Sequence, residues 1–268
     1  MKKDIAVLMP AYNPGNEIIE TLNSLRKQTE PFKLFVIDDG SAQKPDYDSL
    51  LKGFDYHLII SPRNLGVNEA RNPALQQILS EGFPYIALID CGDIAFPKRL
   101  TVQKACLQAN PDIAILGSWT ELTYTETGQQ LIMKYPAGLA ANLQAMWFKS
   151  PTSHPTLLIR SEVFRRIGLY STRFEAAEDY DMIRRAAAAG FGIDNLQEIL
   201  LRKIETRNSI SWKKNSVQLK SRLAIQWQFR DLTNMHCIAG LLRTSIIRIT
   251  PARIIRNLKH ALSKPKKG

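Results

Sequence analysis

Four short apolar runs, each broken off by a cluster of polar residues, constrain this chain more than any other feature. Residues 5–9 stop at Pro10, and Ala11, Tyr12 and Asn13 follow. Residues 34–37 stop at Asp38-Asp39-Gly40-Ser41, residues 58–60 at Ser61-Pro62-Arg63-Asn64, and residues 85–89 at Asp90-Cys91-Gly92-Asp93. Runs this short and this apolar read as strands buried on both faces. Between them, residues 15–28 set Ile18, Ile19, Leu22 and Leu25 at helical spacing with Asn13 available as a cap. Residues 67–79 read as a second helix. Strands alternating with helices predict an α/β fold, a mostly parallel, Rossmann-like central sheet flanked by helices. Ligands of such sheets bind where the strands end, which is where the polar clusters lie.

The pattern loosens after residue 99. Residues 99–108, 161–167 and 180–189 predict helices, residues 113–117 a strand, and Gly128 a hairpin turn between residues 121–125 and 130–134. A composition of 44% hydrophobic and 23% charged residues over 268 positions excludes disorder and supplies a sizeable core. Cys91, Cys106 and Cys237 have no paired spacing, so neither a disulfide framework nor a zinc knuckle is expected, and a reducing cytosol is the simplest compartment. The first apolar run is too short for a signal peptide core or a membrane span. No dinucleotide fingerprint, P-loop or nucleophile elbow is present, which leaves hydrolase and dehydrogenase chemistry little support.

Charge divides the chain unevenly. Residues 1–201 hold 20 Lys/Arg against 23 Asp/Glu, whereas residues 202–268 hold 16 against 2. A basic tail on a near-neutral body points to an anionic surface or polymer as partner. Thr250-Pro251 reads as a helix start, and Ile254, Ile255, Leu258, Ala261 and Leu262 then fall on one face, opposite Arg253, Arg256, Lys259 and His260. Such a helix suits peripheral contact with an anionic membrane through residues 250–267, or packing on the core with a solvated basic face. Nucleic acid is not an expected partner, because no aromatic residue after Phe229 interleaves the charges.

Six clusters stand in order along the chain. They are Pro10-Ala11-Tyr12-Asn13, Asp38-Asp39-Gly40-Ser41, Asn64-Leu65-Gly66 with Ala70-Arg71-Asn72, Asp90-Cys91-Gly92-Asp93, His154-Pro155-Thr156 and Glu178-Asp179-Tyr180-Asp181. Ile94, Pro97-Lys98-Arg99-Leu100, Asn110-Pro111-Asp112-Ile113 and Gly117-Ser118 lie between the fourth and fifth. From about Ile5 to about Ser211 the chain resembles the family 2 glycosyltransferases, inverting enzymes of GT-A fold that use nucleotide-sugar donors, and within them the bacterial cell-envelope branch. No single cluster is specific, but six in order at matching spacing are. The resemblance implies a GT-A domain over residues 1–205, its nucleotide-binding half about 1–100 and its acceptor half about 101–205, and a basic helical extension over 206–268.

The resemblance also implies roles. Pro10, Ala11 and Tyr12 would meet the nucleotide, with the Tyr12 ring either stacked on uracil or plugging the sheet end. Asp39 would accept from the base N3–H, and Asp38 would hold its own turn. Arg71 would face the diphosphate or stand as a solvated helix arginine. Asp90 and Asp93 would hold a divalent metal, Mn²⁺ or Mg²⁺, beside the diphosphate, although Gly92 stands where the family usually has an acidic residue. Gly92 then either lets the backbone approach the phosphates or marks a loop with weak metal affinity. Asp179 would be the general base that takes the acceptor's proton, with Glu178 and Asp181 in support or capping the helix. His154 and Glu178 would lie near the diphosphate or acceptor, His154 alternatively being a structural histidine.

The function implied is inverting transfer from a nucleotide-sugar donor, a UDP-sugar first, to a hydroxyl of a glycan or lipid-linked glycan in cell-envelope polysaccharide synthesis. The expected location is cytoplasmic, peripheral at the inner face of the cell membrane. Two other classes stay open: a non-catalytic nucleotide-sugar-binding or assembly partner descended from such an enzyme, and a binding module led by the tail.

Overall fold

The computed structural model describes residues 3–205 and 215–250. The first half follows the expected alternation: β1 (Ile5–Ala11), α1 (Glu17–Arg26), β2 (Phe32–Asp38), the short α2 (Tyr47–Leu50), β3 (Tyr56–Ile60), α3 (Val67–Ser80) and β4 (Tyr85–Leu88). β1 pairs in parallel with both β2 and β4, and β2 with β3. Side-chain alternation divides these strands between two cores. Ala6, Leu8, Phe35, Ile37, Ile86 and Leu88 face α3 through Ala70, Ala74 and Ile78. Ile5, Val7, Leu34, Val36, Tyr85 and Ala87 face α1 through Ile18, Leu22 and Leu25.

The second half is mixed. β5 (Ile94–Ala95), α4 (Arg99–Ala109), β6 (Ile113–Tyr124), β7 (Gln130–Met133), α5 (Leu139–Ala145), β8 (Leu158–Arg160), α6 (Ser161–Ile167), α7 (Glu178–Ala188) and β9 (Gly192–Glu205) follow. The nine described strands run β3-β2-β1-β4-β8-β6-β9-β5, with β7 paired to β6 in the expected hairpin. β8 is antiparallel to β4 and to β6, and β5 to β9, whereas β6 and β9 pair in parallel over most of their length, so the second half of the sheet is mixed. The helix start at Asn13 also differs from expectation. Asn13 takes φ 44° and accepts from the Ala42 amide, and α1 begins after Asn16.

α8 (Asn215–Gln228) and α9 (Met235–Ile249) pack on this body. Ile225 is part of the first core, and Gln226 Nε2 donates to the Trp147 carbonyl at 2.6 Å. α9 crosses the same carbonyl at Gly240, where an added Cβ would come within 2.1 Å of it. The amphipathic helix expected over residues 251–267 lies outside the described residues. Among the described residues no helix is long and apolar enough to cross a membrane.

Candidate active site

The polar clusters converge at the C-terminal ends of β1, β2 and β4, and hydrogen bonds lace their loops together. The Asn13 amide donates to Ser41 Oγ at 2.8 Å, joining the loop after β1 to the loop after β2. Asp39 joins the latter to the loop before α3, accepting from the Leu65 amide at 2.7 Å and the Gly66 amide at 3.0 Å. An ionised carboxylate has about four acceptor sites, so Asp39 keeps capacity for another donor. Asp38 is wholly inward, accepting from the Ser41 amide and the Tyr47 hydroxyl, both at 2.7 Å. Gly40, at φ +72°, permits this turn, since a Cβ there would stand 2.2 Å from the Arg63 carbonyl carbon. Pro10 and Ala11 lie in β1 opposite Ile37 and Asp38. Just beyond them Tyr12 is 52% exposed, its ring lying open rather than plugging the sheet.

Arg71, in the first turns of α3, is buried, 3% exposed. Its Nη2 donates to Asp90 Oδ1 at 2.8 Å, its Nη1 stands 3.8 Å from Glu178 Oε1, and its guanidinium lies 5.7 Å from the Tyr170 ring centre. One arginine therefore links the loop after β4 to the start of α7. Nη1 is buried and lacks a hydrogen-bond partner among the described residues, so it has a donor to offer a ligand. Burial works against ionisation of Asp90, but the Arg71 guanidinium, with His154 and Lys203, holds its carboxyl below the usual range.

The loop after β4 departs from a metal centre. Asp93 is 3% exposed, and its Oδ2 lacks a hydrogen-bond partner among the described residues. Burial first, and then Asp90, push its carboxyl well above the usual carboxylate range. Gly92, at φ +100°, turns its amide inward to Thr21 Oγ1 at 2.9 Å, so this N–H does not reach toward phosphates. Buried Arg99 donates to the Leu88 carbonyl at 2.7 Å, and burial lowers it to about 10. Lys203 of β9 completes the cluster: it follows Arg202, which pairs with Ile94, the neighbour of Asp93, and its charge acts on both Asp93 and Asp90. Burial works against its charge, but Asp90, Asp93 and Glu205 raise it above the ordinary lysine value.

Mn²⁺ or Mg²⁺ takes oxygen ligands, typically one or two carboxylates together with waters and phosphate oxygens. Here Gly92 offers no side chain, Arg71 occupies one Asp90 oxygen, and Lys203 and Arg99 act electrostatically on both carboxylates. Among the described residues no three His, Cys, Asp or Glu side chains stand together as metal ligands would. The expected pair Asp90 and Asp93 does not fit a divalent cation.

The far wall comes from the second half. His154 Nε2 lies 2.7 Å from the Tyr170 hydroxyl, in a short 3-10 turn (His154–Thr156). Burial, and then Arg71, lower His154 from 6.5 to about 4, so the ring is neutral at neutral pH. Tyr170 is fixed in turn by Asn72, which exchanges two hydrogen bonds with its backbone at 2.9 and 3.0 Å. Glu178 and Asp179 open α7 behind Ala177, which takes the left-handed φ of +64°. A non-glycine residue held there is strained, and such strain gathers at functional sites. Burial and Asp179 raise Glu178, against the pull of Arg71. Asp179 Oδ1 accepts from the Tyr180 amide at 2.7 Å. Asp181 turns away, paired with Arg185 at 2.8 Å and 3% exposed. Tyr170, Lys203 and Ala177 are the site residues that sequence reading passed over.

The resulting cleft offers an exposed aromatic ring, a buried guanidinium, an ammonium and half-buried carboxylates to a polar, anionic ligand. The chain matches the family described as Glycosyl transferase family 2 over residues 6–180. It is 29% identical over 206 residues to the uncharacterized glycosyltransferase MJ1057 of Methanocaldococcus jannaschii, covering 74% of this chain and 69% of that one. Its fold is similar to that of S. aureus TarS 1–349, solved with UDP-GlcNAc, at a TM-score of 0.69 and 19% identity over 90% of this chain and 71% of that one. It spans 39% of a longer TarS chain. The mannosyltransferase PcManGT of Pyrobaculum calidifontis, solved with GDP-Man and Mn²⁺, superposes at a TM-score of 0.62 with 14% identity, over 99% and 82% of the two chains. With its GT-A fold and a match that spans most of its length, the chain belongs to glycosyl transferase family 2.

Proposed function

We propose that this glycosyltransferase moves a sugar, with inversion, from a UDP-sugar donor to a hydroxyl of a glycan or lipid-linked glycan in cell-envelope polysaccharide synthesis. One observation carries the reading: Arg71 ties Asp90 to Glu178, joining the strand-end loops to the start of α7. Pro10 and Ala11 frame the nucleotide, the Tyr12 ring stacks on the base, and Asp39 accepts from the base N3–H. Arg71 directs its free N–H to the diphosphate, and His154 lines the diphosphate or acceptor side. Asp179 takes the proton of the acceptor hydroxyl as its oxygen bonds to the anomeric carbon. The bond from that carbon to the donor diphosphate breaks, and the electron pair leaves on the diphosphate oxygen.

Residues 1–205 form the transferase unit in this reading. Residues 250–267 meet the anionic inner face of the cell membrane, which would bring a lipid-linked acceptor to the cleft. The exposed Leu242, Ile246 and Ile249 beside Arg243 and Arg248 on α9 support that contact. A thermal-shift panel of UDP- and GDP-sugars tests the donor, because a ligand bound only by the folded state raises apparent stability. A shift with UDP-sugars and none with GDP-sugars is expected. Equal response to both, or to neither, removes the uridine assignment.

A further inference from the structure

We propose that the Lys203 ammonium, near Asp93 at the strand-end cleft, takes the place of a divalent cation against the donor's diphosphate. The inference rests on the donor lying in this cleft. A departing diphosphate needs positive charge that is already oriented when the bond breaks. The side chains here that could bind a dication are few. Gly92 has no side chain and spends its amide on Thr21, and Asp90 accepts from Arg71 at 2.8 Å. β9 delivers a cation to the same place. The antiparallel pairs Ile94–Arg202 and Ala95–Leu201 leave Asp93 and Lys203 as the residues adjoining the end of this ladder, and the Lys203 charge acts on Asp93 and Asp90.

The Lys203 side chain is 33% exposed, so it reaches the cleft rather than the core. Its Nζ stands 3.5 Å from Glu205 Oε1, a separation that leaves its donors able to turn to a phosphate. It acts electrostatically on Asp90, Asp93 and His154, residues drawn from two walls of the cleft. With Arg71, it gives the cleft two cationic side chains, one forked and buried, the other a point charge at the mouth. In the transfer step Lys203 keeps its proton. The electron pair of the broken bond leaves on the diphosphate oxygen, the acceptor proton passes to Asp179, and Lys203 donates N–H to the departing oxygens.

The test is calorimetry on the full chain with UDP and with uridine, with excess EDTA or with added Mn²⁺. Wild-type protein should bind UDP equally in both conditions, within about twofold. Lys203→Met should weaken UDP by roughly 10- to 150-fold, the scale of a lost hydrogen bond to a charged group, and leave uridine unchanged. Lys203→Arg should retain most of the UDP affinity, and thermal melts confirm that each variant is folded. UDP binding by wild type that requires Mn²⁺, or a Lys203→Met variant that binds UDP normally, overturns the proposal while the donor reading stands. Absence of UDP binding in every condition overturns both.

Discussion

Arg71 Nη2 donates to Asp90 Oδ1 at 2.8 Å while its Nη1 stands 3.8 Å from Glu178, so one buried guanidinium spans two loops far apart in sequence. Arg71→Met removes that link. Both carboxylates keep some solvent access, with side chains 38% and 22% exposed, so the loss of stability is moderated by screening and should be roughly 1–3 kcal/mol. Urea denaturation measures it. Arg71→Lys should keep the fold better than it keeps UDP affinity, because an ammonium cannot serve two carboxylates and a phosphate in a fixed fork. Equal stability of wild type and Arg71→Met would show that the loops hold without it.

Asp39 has a structural duty beside its proposed contact with the base. Asp39→Ala strips the Leu65 and Gly66 amides of their acceptor, and should cost roughly 1–3 kcal/mol of stability with a weaker response to UDP. Asp39→Asn keeps one acceptor oxygen and should recover part of the stability. A melting temperature unchanged in Asp39→Ala would mean that the loop before α3 is held elsewhere.

Much of this arrangement was legible in the sequence, and the limits of legibility are physical. The strands of the first half are apolar throughout and break off at polar clusters, so their ends, and the residues there, could be read from period and punctuation. β9 carries Asp194, Gln197, Glu198, Arg202 and Lys203 among its apolar residues, and its long pairing with β6 overrides that weak local signal. Lys203 becomes part of the site only through the register of β9 on β5, a non-local fact. The partnership of His154 with Tyr170 is of the same kind. Gly92 was visible as a departure from the family, but its inward amide depends on Thr21 in α1.

Asp179→Asn should leave UDP binding intact and lower transfer by roughly two to four orders of magnitude, the usual scale of acid–base catalysis. Glu178→Gln should act differently, because Glu178 stands beside Arg71 and its first effect falls on the guanidinium. Steady-state transfer together with calorimetry separates the two. Near-normal turnover in Asp179→Asn would remove it from the mechanism.

Gly92→Asp restores the carboxylate usual in the family, yet it forces an L-residue to φ +100°. The strain should cost roughly 1–3 kcal/mol, read as a lowered melting temperature. A Cβ there would face the Glu17 side chain, 3.5 Å from its Cγ, so the new carboxylate would meet another acidic residue. No gain in Mn²⁺-dependent UDP binding is therefore expected. A clear gain, at wild-type stability, would show that the loop adapts readily to a metal.

The neutral state of His154 predicts a pH dependence of defined sign. Burial, and then Arg71, lower it from 6.5 to about 4 in the folded chain. Between those values the unfolded chain holds a proton that the folded chain lacks, so this histidine's contribution is fully present above pH 6.5 and is lost as pH falls toward 4. The steepest slope one such group can give is about 1.4 kcal/mol per pH unit. Asp93 and Glu178, both raised, act in the opposite direction as pH falls, so total stability does not isolate the effect. The difference between wild type and His154→Gln does. Gln can still meet the Tyr170 hydroxyl but takes no proton. Urea denaturation should therefore find wild type losing stability relative to the variant between about pH 7.5 and pH 5. A difference that stays constant over that interval would show that His154 keeps the pKa of an ordinary histidine.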